Sequence, residues 1–529
     1  MSWSPEFFRA LADGRPRIHL FRSIRAPEEL VPTDGWTVRS DGSGTVGVGP
    51  VTGAGTVAAG ASAGARITPK TWRAAMGRWV VPLVGDPSVL LRRCWRGQLV
   101  EHRIGFPGWG EDRFERVQIG AVHGMTGHPG AFQVEVRDII GTLQSRYAED
   151  AQRWPIFHRL ATQPGGAWGE EAETAEQFTA GSSTTLDLDD ASSFSGETGG
   201  NRLIVVDPEA EDRFFWLYTG KSGNTLTGGS TADVYGTTQV TKPSGTTVRG
   251  VALIEGHPFD VVRKILTSTG AGTNGDYDTL PESWGLGLPS RLIDHADIDF
   301  WKPYFSPASG SDEWGFIAEE EVVNPLQWLQ DALSRAGLWL TTRQGKLTIR
   351  GASDPNRTYT SLAGKRPPAA ATLTTGDLSD TAPRSIRWSA WDGSQGAESW
   401  RIRVVTASGT GFAVERVRSH PAEVRTEMDL SDRIWTNESA WRDQILARLR
   451  VWALRLSERL EVEVAHPRYR GLCPGDVVEL ALGGVSPEYR RGGLSGVRGM
   501  VLRVDPDWWG ARPTKIVIGV PPPNPQVVG

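Results

Sequence analysis

The sequence predicts a multidomain, mainly β protein with a few helices (α+β), built of β-barrel or sandwich domains that carry a small all-β insert. Three observations point there. At 529 residues the chain is too long for one hydrophobic core, because cores stop growing well before this size. Short alternating apolar runs bounded by Gly-containing turns recur along most of it, whereas only a few segments carry the helical period. With 22 Trp and 63 Gly, the composition suits aromatic-rich strands and tight turns.

The first domain is expected over 1–150. Ser4 as cap, Pro5 at the first helical position and Gly14 as the stop predict a short helix. The alternation in Arg17–Ile24, Val100–Ile104, Arg116–Ile119 and Ala131–Val136 then predicts strands, and Val136–Arg146 reads as a closing helix with Ile139, Ile140 and Leu143 on one face. Between the early strands, Gly42–Gly64 is nearly uncharged and reads either as a flexible loop or as a low-complexity hairpin. After a linker at 151–171, short strands at Thr184–Leu188, Arg202–Val206 and Phe214–Tyr218 define the small all-β insert, 172–251.

An α+β domain follows over 252–375. Its two helices, Pro258–Leu266 and Pro325–Leu333, share an opening Pro and the same apolar spacing, compatible with a weak internal duplication or with convergence. The second leads into a hairpin over Leu338–Arg350 that turns at Gln344-Gly345. A second β-domain at 376–465 has strands at Ser385–Trp388 and Trp400–Val405 and a helix from Ser439 to Arg459 carrying Trp441, Ile445, Leu446, Leu449, Trp452 and Leu456. A last β-domain, 466–529, has strands at Asp476–Leu480, Gly499–Val504 and Lys515–Gly519 before a Pro-rich tail.

A net charge of −5, from 57 basic and 62 acidic residues, supplies no general attraction to nucleic acid or anionic membrane. Cys94 and Cys473 match no zinc or disulfide spacing and are expected as free thiols. The first residues lack a signal-peptide pattern, and no apolar run reaches the 18 or so residues that span a bilayer, so cytosolic folding without membrane insertion is expected.

Gly220-Lys221-Ser222 matches the end of a phosphate-binding loop. Position 215, however, is Phe where that loop needs Gly, and a Gly/Asn/Thr run replaces the helix, so a hairpin turn is expected. His123 and His128 are separated by glycines, lack an obvious third ligand and read as loop histidines. Asn274–Asp278 lacks the later residues of a calcium loop. Asp294, Asp297 and Asp299 read as a solvated surface rather than catalytic carboxylates. No nucleophile elbow, zinc-protease or dinucleotide motif occurs, so no enzyme, cofactor or metal is expected, although a pair of carboxylates converging only in space leaves no sequence trace.

The stretch from Thr184 to Gly236, with the run Ser182–Phe194 at its opening and Tyr218–Thr238 at its close, resembles a small β-module recurrent in phage tail proteins. Arg116–Gly124 with Phe132–Asp138, the helix at Asn324 with its hairpin, and Leu472–Leu480 are similar to segments of the tail-hub (baseplate hub) family of tailed bacteriophages and gene transfer agents. The resemblance implies two tail-tube-like β-domains and a homotrimer whose six such domains form a ring between the hexameric tube and the threefold tip. It further implies a virion component made in the host cytoplasm, neighbours among tail tube, distal tail, tip or fibre proteins, and DNA passing through the lumen without specific binding. Tyr218, Lys221 and Asn224 become candidate contact residues at the insert's hairpin. The competing expectations are a receptor- or carbohydrate-binding tail protein with exposed Trp, and a hydrolase with convergent carboxylates.

Overall fold

The computed structural model describes residues 3–26, 31–39, 77–81, 99–128, 131–138, 171–179, 182–194, 202–210, 213–229, 234–235, 241–267, 290–306, 314–318, 337–358, 365–379, 385–388, 399–406, 409–416, 423–429, 433–435, 438–453, 458–483, 494–506 and 513–521, with positions 288, 329, 333 and 508. The fold is mainly β with a few helices, arranged as several separate sheets. Each sheet runs from one edge strand to another, so among the described residues none closes into a barrel.

The chain opens with α1 (Pro5–Ala12), where the Ser4 hydroxyl accepts from Phe7 N–H and Gly14 leaves at φ 65°. A six-stranded sheet follows, in the order 31–39, 18–26, 99–105, 115–128, 131–138, 77–81. Helix α1 lies over it and also reaches the far end of the chain. Trp3, Phe7, Ala10 and Leu11 pack with Ile104, Phe106 and Val117 of this sheet and with Trp508, the Trp3 and Trp508 rings meeting edge-on at 5.2 Å. Trp3 Nε1 donates to Arg116 O at 2.9 Å, and Ser4 N–H donates to Glu115 Oε1 at 2.9 Å. Apolar burial and backbone hydrogen bonds therefore act together at this seam.

The predicted helix over Val136–Arg146 is corrected in part. Val136–Asp138 continue the strand Ala131–Asp138, because the alternation of Phe132-Gln-Val-Glu-Val persists to that point, while residues 139–146 lie outside the described residues. His123 and His128 sit in the strand Glu115–His128 rather than on a loop. The strand accommodates Gly124 by a register shift between Val122 and Gly124. The segment Gly42–Gly64 and Cys94 lie outside the described residues.

Strand Thr247–Gly256 is the longest-reaching element of the middle region. Val248–Val251 pair with Leu203–Val206, and Thr247–Arg249 pair on the other side with Glu171–Glu173. From Ala252 to Gly256 its partner is Trp314–Ala318, which in turn pairs with Arg433–Trp435. One strand thus belongs to two neighbourhoods, changing partner between Val251 and Ala252.

Gly256, at φ 139°, turns the chain into α2 (Pro258–Thr267). Helix α3 (His295–Phe305) is capped by the Asp294 side chain, which accepts from Asp297 N–H. Of the predicted helix 325–333, only Leu329 and Leu333 are described, both helical and fully buried. The hairpin Leu338–Arg343 with Lys346–Gly351 turns at Gln344 (φ 52°) and Gly345 (φ 76°), the two left-handed residues that its tight turn requires. That turn sits against the first sheet: a Cβ on Gly345 would lie 2.6 Å from the Ile119 backbone nitrogen.

Helix α4 (Glu438–Ala453) buries Trp441, Ile445, Leu446, Leu449 and Trp452 as its spacing predicts. It is shorter than expected, since Glu458 already begins the strand Glu458–Val464 and Leu456 lies outside the described residues. The C-terminal sheet has the order 369–374, 477–482, 494–505, 514–520, 458–464, 385–388. It therefore draws three of its strands from before position 466. Its core is Leu460, Val462, Val464, Leu480, Val501, Ile516 and Ile518 with Tyr469. Strands 399–406, 409–416 and 423–429 form a separate three-stranded sheet.

Candidate functional site

The candidate contact hairpin grows out of the module's core. Strand Phe214–Tyr218 pairs with Arg202–Val206, and its residues Phe214, Trp216 and Tyr218 pack with Phe178, Leu186, Phe194, Ile204, Val206, Leu226 and Val248. Tyr218 is 1 % exposed. It belongs to this core and presents no surface for a partner.

Two residues further on, Gly220–Ser222 pairs with Thr225–Thr227, which pairs in turn with Thr185–Asp187. Gly223 supplies the left-handed conformation at the tip (φ 60°). Lys221 Nζ donates to Ala191 O at 2.7 Å. Asn224 Nδ2 donates to Asp189 O at 2.8 Å, and its Oδ1 accepts from Ala191 N–H at 3.4 Å. Lys221 and Asn224 thus converge on the 189–191 loop and hold it against the hairpin, while Tyr218 is set apart in the core. The Gly-Lys-Ser triplet lies on a strand, and its lysine is bound to a carbonyl instead of facing a cradle of backbone N–H groups. The exposed part of the hairpin is Ser222, Gly223 and Asn224, beside Asp189 and Asp190.

A second cluster escaped the sequence reading. Asp297, expected on a solvated surface, is 4 % exposed and sits at the centre of a charged group joining three segments. Arg350, fully buried on the hairpin, bonds Asp297 through both terminal nitrogens, Nη2 lying 2.9 Å from Oδ1. Arg343 bonds Asp297 Oδ1, and the Thr348 hydroxyl donates to Oδ2 at 2.6 Å. From the C-terminal region, Asp476 Oδ1 lies 3.4 Å from Arg350 Nη2, and its Oδ2 accepts from Cys473 N–H at 2.9 Å. The guanidinium also lies over the Trp301 ring at 4.9 Å.

The electrostatics of this cluster are those of a structural joint. Burial pushes the Asp297 carboxyl up, but Arg350, Arg343 and the Thr348 hydroxyl outweigh it and hold the group below its ordinary value. Burial likewise works against the charge on Arg350 and is overcome by the anionic groups around it. Cys473 is buried and free, and burial raises its pKa, so it remains a thiol. Of the other two acids, Asp294 caps α3 and Asp299, half exposed, pairs with Arg263 at 2.7 Å. Among the described residues no group of three or more His, Cys, Asp or Glu could hold a metal ion, and no helix is long and apolar enough to cross a membrane. Asn274–Asp278 lies outside the described residues.

No family model matches the chain, and no curated protein matches it. Among solved structures, it is similar to a tail protein of Neisseria meningitidis MC58 over 96 % of this chain and 92 % of that one, with 11 % identity and a TM-score of 0.30. A 43 kDa tail protein of prophage MuSo2 from Shewanella oneidensis gives the same coverage, 11 % identity and a TM-score of 0.30. A chain of a native gene transfer agent virion matches 46 % of this chain and 84 % of its own length, at 14 % identity and a TM-score of 0.18. These TM-scores lie below the level at which a likeness of fold carries an argument.

Proposed function

We propose that the chain is a structural hub at the distal end of a phage tail. In this reading three copies form a ring that joins the hexameric tube to the threefold tip and leaves a channel for DNA. The observation that carries it is the 184–236 module, whose sequence resembles the β-module recurrent in phage tail proteins. Two structural facts agree with an architectural role. The buried charge at Arg350 ties α3, the hairpin and the segment before strand Val477–Leu482 together, so it fixes the relation of parts. Among the described residues Trp3, Trp216, Trp301, Trp339, Trp441, Trp452 and Trp508 are each 4 % exposed or less, which removes these seven as sugar-stacking platforms.

The mild net acidity suits a lumen to which DNA does not adhere, and the reading assigns the chain no catalytic step. The module at 172–251 is an addition to the hub, and the tip residues Ser222–Asn224 are its candidate contact surface. A reconstruction of the tail particle tests this: the chain is expected on the tail axis in three copies, and a location confined to peripheral fibres overturns the reading. Removal of residues 172–251 is expected to disturb tail assembly or host contact.

A further inference from the structure

His257 stands where strand Thr247–Gly256 ends and α2 begins, and it is 2 % exposed. Pro258, the first helical residue, has no N–H, so the first donor needing a partner is Phe259 N–H. That donor is taken by His257 Nδ1 at 3.1 Å. On the opposite side of the ring, Nε2 lies 3.1 Å from the hydroxyl of Ser306 at the C-terminal end of α3. The ring also packs against Phe259 at 5.3 Å and against Trp441 of α4 at 5.5 Å.

These contacts assign the tautomer. Since Nδ1 accepts, the single hydrogen of the neutral ring is on Nε2 and is donated to the Ser306 oxygen. The Ser306 hydroxyl in turn donates to Lys302 O at 3.1 Å. Charged groups face the ring from each of the three helices. Helix α2 brings Arg263 with Asp260, paired at 2.6 Å; α3 brings Lys302, which bonds Asp260, and Asp299, which pairs with Arg263; α4 brings Arg448, bound to Gln444 at 2.9 Å.

We propose that His257 is a proton-sensitive latch at the joint between the module-bearing strand and the helical layer. A proton taken from water by the Nδ1 lone pair turns that nitrogen into a donor facing the Phe259 N–H donor. The cap on α2 is lost, and a positive charge is placed in a buried position among Arg263, Lys302 and Arg448. Burial, first, and those three cations keep the ring neutral in the closed state, holding its pKa well below the ordinary histidine value. The opened state, with a histidine of ordinary pKa near 6.5, binds the proton that the closed state refuses, so acid favours opening. The population of the opened joint is expected to rise about tenfold for each pH unit below roughly 6.5. This device stands apart from the tail-hub reading and holds or fails without it.

Hydrogen exchange on the full chain at pH 7.5 and 5.5, corrected for intrinsic exchange rates, tests the proposal. The amides of residues 252–263 are expected to lose protection in acid. His257→Asn supplies an oxygen to the same N–H and cannot be protonated, so its protection there is expected to be the same at both pH values. His102 is the control: it is also buried with a lowered pKa, but it lies in the first sheet, and His102→Gln is expected to leave the response at 252–263 intact. Equal acid sensitivity in the wild-type chain and His257→Asn overturns the latch. Should the asparagine variant fail to fold, the ring nitrogens of ¹⁵N-histidine in the wild-type chain decide: every buried histidine protonated on Nδ1 at pH 7 overturns it, and one ring with hydrogen on Nε2 alone that resists protonation to pH 5.5 supports it.

Discussion

Arg350 grips Asp297 with both terminal nitrogens, Nη2 to Oδ1 at 2.9 Å and Nη1 to Oδ2, with the arginine fully buried and the carboxylate 3 % exposed. Asp297→Asn leaves the buried guanidinium of Arg350 with only the longer contact to Asp476 as counter-charge. The expected loss in denaturant-induced unfolding is about 3–5 kcal/mol, the range seen when one member of a buried pair is removed. A loss below about 1 kcal/mol would mean that Asp476 alone suffices to hold Arg350.

The same carboxyl gives the chain an acid limb. Its folded pKa lies below that of the unfolded chain, so its contribution is fully present above the unfolded value near 3.9 and is lost as pH falls through the folded value. From about pH 4 downward, unfolding midpoints are expected to fall more steeply for the wild-type chain than for Asp297→Asn.

Gly345 is irreplaceable for two reasons that add. Its φ of 76° costs an alanine roughly 1–2 kcal/mol, and the new Cβ would lie 2.6 Å from the Ile119 backbone nitrogen, where overpacking costs roughly 1–3 kcal/mol. Gly345→Ala is therefore expected to destabilise the chain and to raise hydrogen exchange at Gln118 and Ile119.

Trp3→Ala removes a buried ring from between the first sheet and Trp508, at a cost of about 3–5 kcal/mol in unfolding free energy. Trp3→Phe keeps part of the packing and loses the bond to Arg116 O, so its cost is expected to be smaller. Equal losses in the two variants would place the whole effect on the hydrogen bond.

In the module, Asn224→Ala removes two bonds to the 189–191 loop, each worth about 0.5–1.5 kcal/mol. Lower protection at Asp189–Ala191 is the expected signature. Lys221→Ala is expected to leave any ATP turnover of the preparation unchanged, since its amine is bound to Ala191 O. Hydrolysis that disappears with Lys221 would reinstate the nucleotide site.

Local chemistry made much of this fold legible. Ser4-Pro5 with Gly14, the short apolar run Phe214–Tyr218 and the turn at Gln344-Gly345 each encode their structure within a few residues, and those elements stand as the sequence predicts. That a hairpin lies near Gly220 was equally readable, but the turn is shorter than expected: Gly220–Ser222 is a strand paired with Thr225–Thr227, and the tip is at Gly223-Asn224. What stayed hidden depends on partners distant in sequence. Asp297 looks like a surface acid beside Asp294 and Asp299 because its counter-charge is 53 residues away, and Asp476 is a further 126 beyond Arg350. An isolated Thr-x-Arg on a strand is the one trace of that centre in the sequence, and it is too common to point to a buried ion pair. Tyr218 was misplaced for a related reason. Adjacency to a hairpin tip suggested exposure, whereas all five residues of Phe214–Tyr218 are buried, and Tyr218 packs into the module core on the same face as Phe214 and Trp216.

The division of strand Thr247–Gly256 between two sets of partners gives the module a mechanical character. A pull along the strand's axis loads the hydrogen bonds of Val248–Val251 and those of Ala252–Gly256 in shear, so that many must yield at once. A pull across the strands at Thr179 meets the two-residue pairing with Thr241 and Lys242, backed by the packing of Phe178 in the core, and loads those two pairs one after the other. The module is thus a stiff lever in one direction and a weak clasp in the other.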